Sequence, residues 1–278
     1  MPAYEFTLIV FFISTTAGLV GSLTGLGGGV IVTPALTLLL GVDIRYAIGA
    51  SLVSVIATSS GAAAAYVRDG LSNIRIGMFL ELATTVGAIC GALLASKIPT
   101  TVLAVIFGLV LLHSAWQTSQ MRREVVVAAG GTPFADRLKL NGIYRSRTET
   151  IPYSVSHPGA GFSLMYVAGL LSGLLGIGSG ALKVIAMDRI MGIPFKVSTA
   201  TSSFMIGVTG VASAAIYLKR GYIHPVIALP VMLGVLGGSM VGARLLPRLP
   251  VPFLRRMFAV IVAVIAIQMI IEGLRGRL

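Results

Sequence analysis

The chain has 278 residues, 56% of them apolar and only 11% charged, with a net charge of +12. A soluble domain carries about 25% charged residues, and no soluble core of this length hides so much apolar surface. Soluble enzymes and nucleic-acid-binding modules are therefore excluded, and the lipid bilayer becomes the expected surrounding.

The opening stretch MPAYEFTLIVFFI has no basic n-region, and its apolar run outlasts a signal-peptide core, so it reads as a retained first span. Charge-free runs follow at 6–42, 46–67, 98–121, 150–182, 197–218 and 221–243. Runs of about 18 or more such residues read as membrane spans. The first half resolves into helical pieces near 5–24, 27–41, 46–68, 74–96 and 99–120. A polar stretch at 122–159 carries Arg122, Arg123, Arg137, Lys139, Arg145 and Arg147 and reads as a cytoplasmic loop. Five further pieces lie near 160–175, 178–192, 197–218, 223–246 and 250–273. The expected organisation is thus a first membrane repeat at 1–121, a loop at 122–159 and a second repeat at 160–278.

The two halves match at an offset of 151 residues: 17–99 falls on 168–250 without a gap, pairing Gly25, Gly27 and Gly29 with Gly176, Gly178 and Gly180. Ser51 pairs with Ser202, Thr58 with Thr209 and Tyr66 with Tyr217. Glycine-broken apolar segments at matching places in two halves are the mark of a secondary transporter. Length forces the break. The run Phe6–Val42 has thirty-seven residues; as one helix it would extend about 55 Å against a hydrocarbon core of about 30 Å. The expected fold is an all-α polytopic membrane protein. It has two homologous repeats, about eight transmembrane helices and two glycine-broken or re-entrant segments. With eight crossings, Arg68, Arg75, the central loop, Lys219, Arg220, Arg275 and Arg277 share the cytoplasmic side, against the dissent of Arg45, Lys97, Lys196, Arg244 and Arg248. Ten crossings would instead invert the repeats and put Lys219, Arg220 and the basic C-terminus outside.

The candidate substrate site starts at the breaks, Gly25, Gly27, Gly28 and Gly29 with Thr33, and Gly176, Gly178, Ser179 and Gly180. A helix restarting after such a break aims N–H groups and its positive dipole end inward, which suits an anion. Small-residue helix packing is the competing explanation. The third pieces add hydroxyls, with Ser51 in the first half and Thr199, Ser202 and Ser203 in the second. Lys183, one turn past the second break, could draw an anion inward; its counterpart is Val32. Glu81 could relay a proton or pair with a basic residue; its counterpart is Met232. Charges inside spans are site candidates by default. His113, His157 and His224 are scattered and Cys90 is single, so no metal site, disulfide pair, organic cofactor or enzymatic constellation is expected.

The segments AGLVGSLTGLGGGVIVTPAL and AGLLSGLLGIGSGALKV resemble the TauE/SafE family of membrane permeases, over nearly all of the chain except the loop at 122–157. In the second half Ser179 replaces a glycine and Ile185 replaces Pro34, so the two breaks differ. The resemblance implies a multi-pass transporter in the cell (inner or plasma) membrane, an exporter of sulfite, a sulfonate or a related small sulfur anion. Its site would form where the breaks meet, and proton coupling through Glu81 is a further expectation. A cation or neutral-metabolite transporter and a non-transporting scaffold remain alternatives. Both a monomer and a homodimer stay open, because exposed apolar surface is normal in lipid.

Overall fold

The computed structural model describes residues 3–24, 27–119, 132–145, 150–176 and 178–275. It is mostly helical. The first half contains α1 (Ala3–Thr24), α2 (Gly29–Pro34) running into a π-turn (Ala35–Leu39), α3 (Ile44–Arg68), α4 (Ile74–Ala95) and α5 (Thr100–Ser119). The second contains α7 (Pro158–Leu175), α8 (Gly180–Ile185) running into a π-turn (Ala186–Ile190), α9 (Phe195–Lys219), α10 (Pro225–Leu245) and α11 (Val251–Leu274). Six of these helices, α1, α3, α4, α7, α9 and α10, are long and apolar enough to cross a membrane. Between the halves lie α6 (Pro133–Arg137) and the antiparallel hairpin β1 (Gly142–Arg145) and β2 (Thr150–Tyr153), a small departure from the expected all-α fold.

Local chemistry sets the helix starts. Asp43 caps α3 by accepting from the Arg45 amide at 2.8 Å, and Asn73 caps α4 by accepting from Ile76 at 3.1 Å. In α7 and α10 a proline stands in the first turn, where the missing N–H costs no helical hydrogen bond.

Each half packs its first helix on the fourth helix of the other, α1 on α10 and α4 on α7. Glycines make this close approach possible. A Cβ on Gly87 would strike the Tyr166 and Leu170 backbone, and one on Gly238 would strike Thr15 and Leu19. The third helices, α3 and α9, pack against each other, as do the fifth, α5 and α11.

The glycine contacts also fix direction. Gly234, Gly238 and Gly242 of α10 meet α1 at Phe11, Thr15 and Leu19 in turn, so these helices run parallel. Gly49 of α3 lies against Tyr222 and Gly61 against Leu236, so α3 runs the same way. Helices α1 and α3 thus point in one direction, with α2 leading back between them. By the same test α4 and α7 are parallel, since Gly87 meets Tyr166 and Gly91 meets Leu170. Because α4 returns from α3, α7 runs opposite to α1.

This geometry overturns one expectation. Arg68 and Arg75 lie at the end where the central segment packs, for Asn73 donates to the Leu140 carbonyl at 3.2 Å and the Tyr153 hydroxyl at 2.8 Å. Arg220 lies at the opposite end, donating to the Ala92 carbonyl at 2.8 Å near the close of α4. Lys219 adjoins it, and Arg275 follows α11, whose Gly273 packs on Ala104 and Val105 near the start of α5. These basic residues therefore do not share one side. The cause is α2, which brings the chain back before α3 begins and so reverses everything after it. Arg277 lies outside the described residues.

Candidate functional site

The two glycine breaks meet at the centre of the molecule. Gly27 (φ +76°) and Gly178 (φ +70°) both adopt the left-handed backbone that glycine accepts without strain. Each presses on the same two side chains, Val55 and Ile206, which are themselves counterparts at the 151-residue offset. Ser51 joins the halves directly. Its hydroxyl lies 2.7 Å from the Gly176 carbonyl and 3.0 Å from the Gly29 carbonyl, and its single proton serves one at a time. A Cβ on Gly29 would stand 2.5 Å from that hydroxyl, so the contact needs glycine.

Around this centre, Gly28, Gly29, Gly176, Gly178, Ser179 and Gly180 are buried, with Ser179 donating to the Gly178 carbonyl at 2.8 Å. Ser202 donates to the Gly180 carbonyl at 3.4 Å. The hydroxyls of Thr33, Thr199 and Ser203 are buried and have no hydrogen-bond partner among the described residues. Orphaned buried hydroxyls are uncommon and mark places that can offer hydrogen bonds to a visitor. Gly25 lies outside the described residues.

The charged residues converge too. Lys183 of α8 is fully buried, and its Nζ stands 3.3 Å from Glu81 Oε2 on α4. The same ammonium donates to the Thr209 hydroxyl of α9 at 2.5 Å, and that hydroxyl donates onward to Glu81 Oε1, also at 2.5 Å. Thr85, one turn below Glu81, donates to Oε1 at 3.2 Å. An ammonium this deep is tolerated only with a charged partner and satisfied protons. Of the two roles considered for Glu81, pairing with a basic residue is the one this geometry contains.

Thr209 and Thr85 were not among the candidate site residues. The signal for Thr209 was present in its match with Thr58, since both lie one helical turn beyond the paired Val55 and Ile206. In the first half Thr58 accepts from the Gly28 amide at 3.0 Å. Thr85 carried a local signal that went unread, since it stands four residues after Glu81 on one face of the same helix.

At the end where the central segment packs, a cavity of about 310 Å³ is lined by Arg75, Lys139, Asn73, Asn141 and Tyr153 among others. At the opposite end a cleft between Arg45, Tyr217, Arg220 and Tyr222 holds only about 10 Å³. None of the candidate site residues lines either space.

Sequence comparison completes the picture. The profile of the family described as sulfite exporter TauE/SafE matches residues 10–269. This chain belongs to the TauE/SafE family. It is 27% identical over 277 residues to the probable membrane transporter protein YunE of Bacillus subtilis, covering 96% of this chain and 98% of that one. It is 26% identical over 243 residues to the probable membrane transporter protein YdhB of the same organism, covering 87% of this chain and 90% of that one. A probable membrane transporter protein of Haemophilus influenzae is 24% identical over 292 residues, with 97% of this chain covered and all of the relative. No solved structure matches significantly. As a TauE/SafE member the chain is a multi-pass membrane protein of a transporter family, and its long apolar helices agree with that.

Proposed function

We propose that the protein exports a small sulfur-containing oxyanion, sulfite or an organosulfonate, across the cell membrane by secondary transport coupled to protons. The anion binds where the two glycine breaks meet, between two repeats of inverted sense. The observation that carries the reading is Lys183, a fully buried ammonium one turn behind a break whose neighbouring Thr199 and Ser203 hydroxyls are unsatisfied. A buried ammonium whose carboxylate partner a visiting anion could replace, with unsatisfied hydroxyls on the adjacent helix, favours an anion over a cation or neutral solute. Opposed helix sense in two halves of like plan is the arrangement alternating access uses.

Helix direction supports a topology as well. Lys196 at the start of α9, and Arg244 and Arg248 at the end of α10, fall at the same end as Arg68, Arg75 and the central segment. Three residues that dissented from the sequence-based topology therefore join the basic end, which is the cytoplasmic one by the positive-inside tendency. A cavity of about 310 Å³ lies at that end, where an exporter would receive its substrate from the cytoplasm.

Flux of sulfite in proteoliposomes, with sulfate, thiosulfate and a small sulfonate as competitors, tests the reading. Saturable sulfite flux that falls at least tenfold in Gly29→Leu supports it. Folded protein that moves no sulfur anion sinks it.

A further inference from the structure

We propose that Glu81 is a tethered stand-in for the transported anion, so that the site admits a singly charged oxyanion only together with one proton. This rests on the anion-transport reading above and adds to it a rule of charge. The carboxylate is held by donors from three helices: the Lys183 ammonium of α8 at 3.3 Å, the Thr209 hydroxyl of α9 at 2.5 Å and the Thr85 hydroxyl of α4 at 3.2 Å. An ammonium and two hydroxyls converging on two oxygens form the donor set that a sulfonate or hydrogensulfite would use. In this conformation the protein's own oxyanion occupies it.

The charge balance of the pair then dictates the coupling. One ammonium faces one carboxylate, and both are buried. A second anion arriving while Glu81 is ionised would put two negative charges on one cation away from water, where Coulomb repulsion is little screened. A proton arriving on Glu81 alone would leave the ammonium buried and uncompensated. Each event is unfavourable singly, and together they restore neutrality. The proton comes from solution to a Glu81 oxygen and returns to solution on the other side once the anion has left and Lys183 is recaptured. By linkage the proton must strengthen anion binding as much as the anion strengthens proton binding. A dianion such as sulfate would leave one uncompensated negative charge and is refused.

Among the described residues of the helices that supply or pack on this cluster, α7, α8 and α9, no other titratable group lies beside Glu81. On α8 the ionisable residue is Lys183 itself, and on α7 it is Tyr166, which sits beside Cys90. On α9 the ionisable side chains, Lys196, Tyr217 and Lys219, lie toward the ends of the helix, away from Thr209. The counterpart of Lys183 is Val32 in the first half and that of Glu81 is Met232 in the second, so the pair does not recur at the matched positions.

Methanesulfonate is the right probe because it stays a monoanion throughout the pH range used. Uptake into proteoliposomes would be followed between about pH 5.5 and about pH 8, with a lumenal pH dye reporting proton movement. Wild-type protein is expected to move one proton per methanesulfonate. Its kcat/KM should rise as pH falls, approaching about tenfold per pH unit, with sulfate a poor competitor. Glu81→Gln should move no protons, and methanesulfonate at about pH 8 should stabilise it against thermal unfolding more than it stabilises wild type. In the paired variant Glu81→Gln/Lys183→Met that stabilisation should vanish. Methanesulfonate flux without proton movement overturns the inference, as does equal uptake of sulfate, and either leaves anion transport standing. The wild-type proton count decides even if Glu81→Gln does not fold. Absence of flux and of thermal stabilisation for every sulfur anion sinks the transport reading and this inference with it.

Discussion

The two halves use the same threonine for different ends. In the first, Thr58 accepts the amide of Gly28, an uncharged hydrogen bond that closes the glycine break. In the second, Thr209 sits between Lys183 and Glu81 and belongs to a charged network. The second break differs from the first as well, with Ser179 in left-handed conformation (φ +51°) where the first half has Gly28 in the right-handed helical region. The order of helices recurs in the two halves and the chemistry does not. Helices matched at the 151-residue offset supply packing that works in both orientations, while the ion pair takes one residue from each half, Glu81 from the first and Lys183 from the second.

Four pairs of substitutions test how far that division holds. The largest effect should come where the halves are most alike. Gly87→Val and Gly238→Val each drive a branched side chain into the backbone of a facing helix, and each should cost upwards of about 4 kcal/mol. Recovery of folded protein by size-exclusion chromatography would measure this; a loss in one variant with tolerance of the other would break the equivalence. Next comes Lys183→Met against Val32→Met. The first strands the Glu81 carboxylate and should lower stability by about 3–5 kcal/mol, with Glu81→Gln added in the same chain recovering most of it. The second changes one apolar side chain for another and should cost about 1–3 kcal/mol by overpacking. Thermal unfolding in detergent distinguishes them.

A smaller contrast concerns the threonines themselves. Thr209→Val removes a hydrogen bond to charged groups and should cost about 1.5–3 kcal/mol, whereas Thr58→Val leaves one amide without its acceptor and should cost about 1–3 kcal/mol. Flux separates them more sharply than stability, since Thr209→Val should impair it and Thr58→Val should largely spare it. The smallest effect is expected of the matched serines. Ser51→Ala loses the 2.7 Å bond to Gly176 across the halves and Ser202→Ala a 3.4 Å bond within its own half. Each should cost about 1 kcal/mol, with Ser51→Ala the larger in a thermal-shift comparison.

Membrane class, glycine breaks and the hydroxyl-rich third helices were legible in the chain, because each follows from local composition or from an offset that can be counted. Two features were misread or unseen. Loop charges suggested that Arg68 and Arg220 share a side, because the count let the glycine-broken second piece return to the side it came from. The eleven residues of α2 and its π-turn, Gly29–Leu39, break that presumption by bringing the chain back before α3 begins. The partnership of Glu81 with Lys183 was also out of reach, since 102 residues separate them and neither has an ionisable counterpart in the other half.

By itself the sequence determined that this chain lives in a bilayer, that it breaks its helices at Gly27 and Gly178, and which residues could bear charge at depth. Those are consequences of hydrophobicity and of glycine's backbone freedom, both readable residue by residue. Only the tertiary structure decided that both breaks press on Val55 and Ile206, that the halves run in opposite senses, and that one buried ammonium meets one carboxylate. These depend on which helix faces are turned toward each other, and a buried charge finds its partner through that packing and not through nearness along the chain.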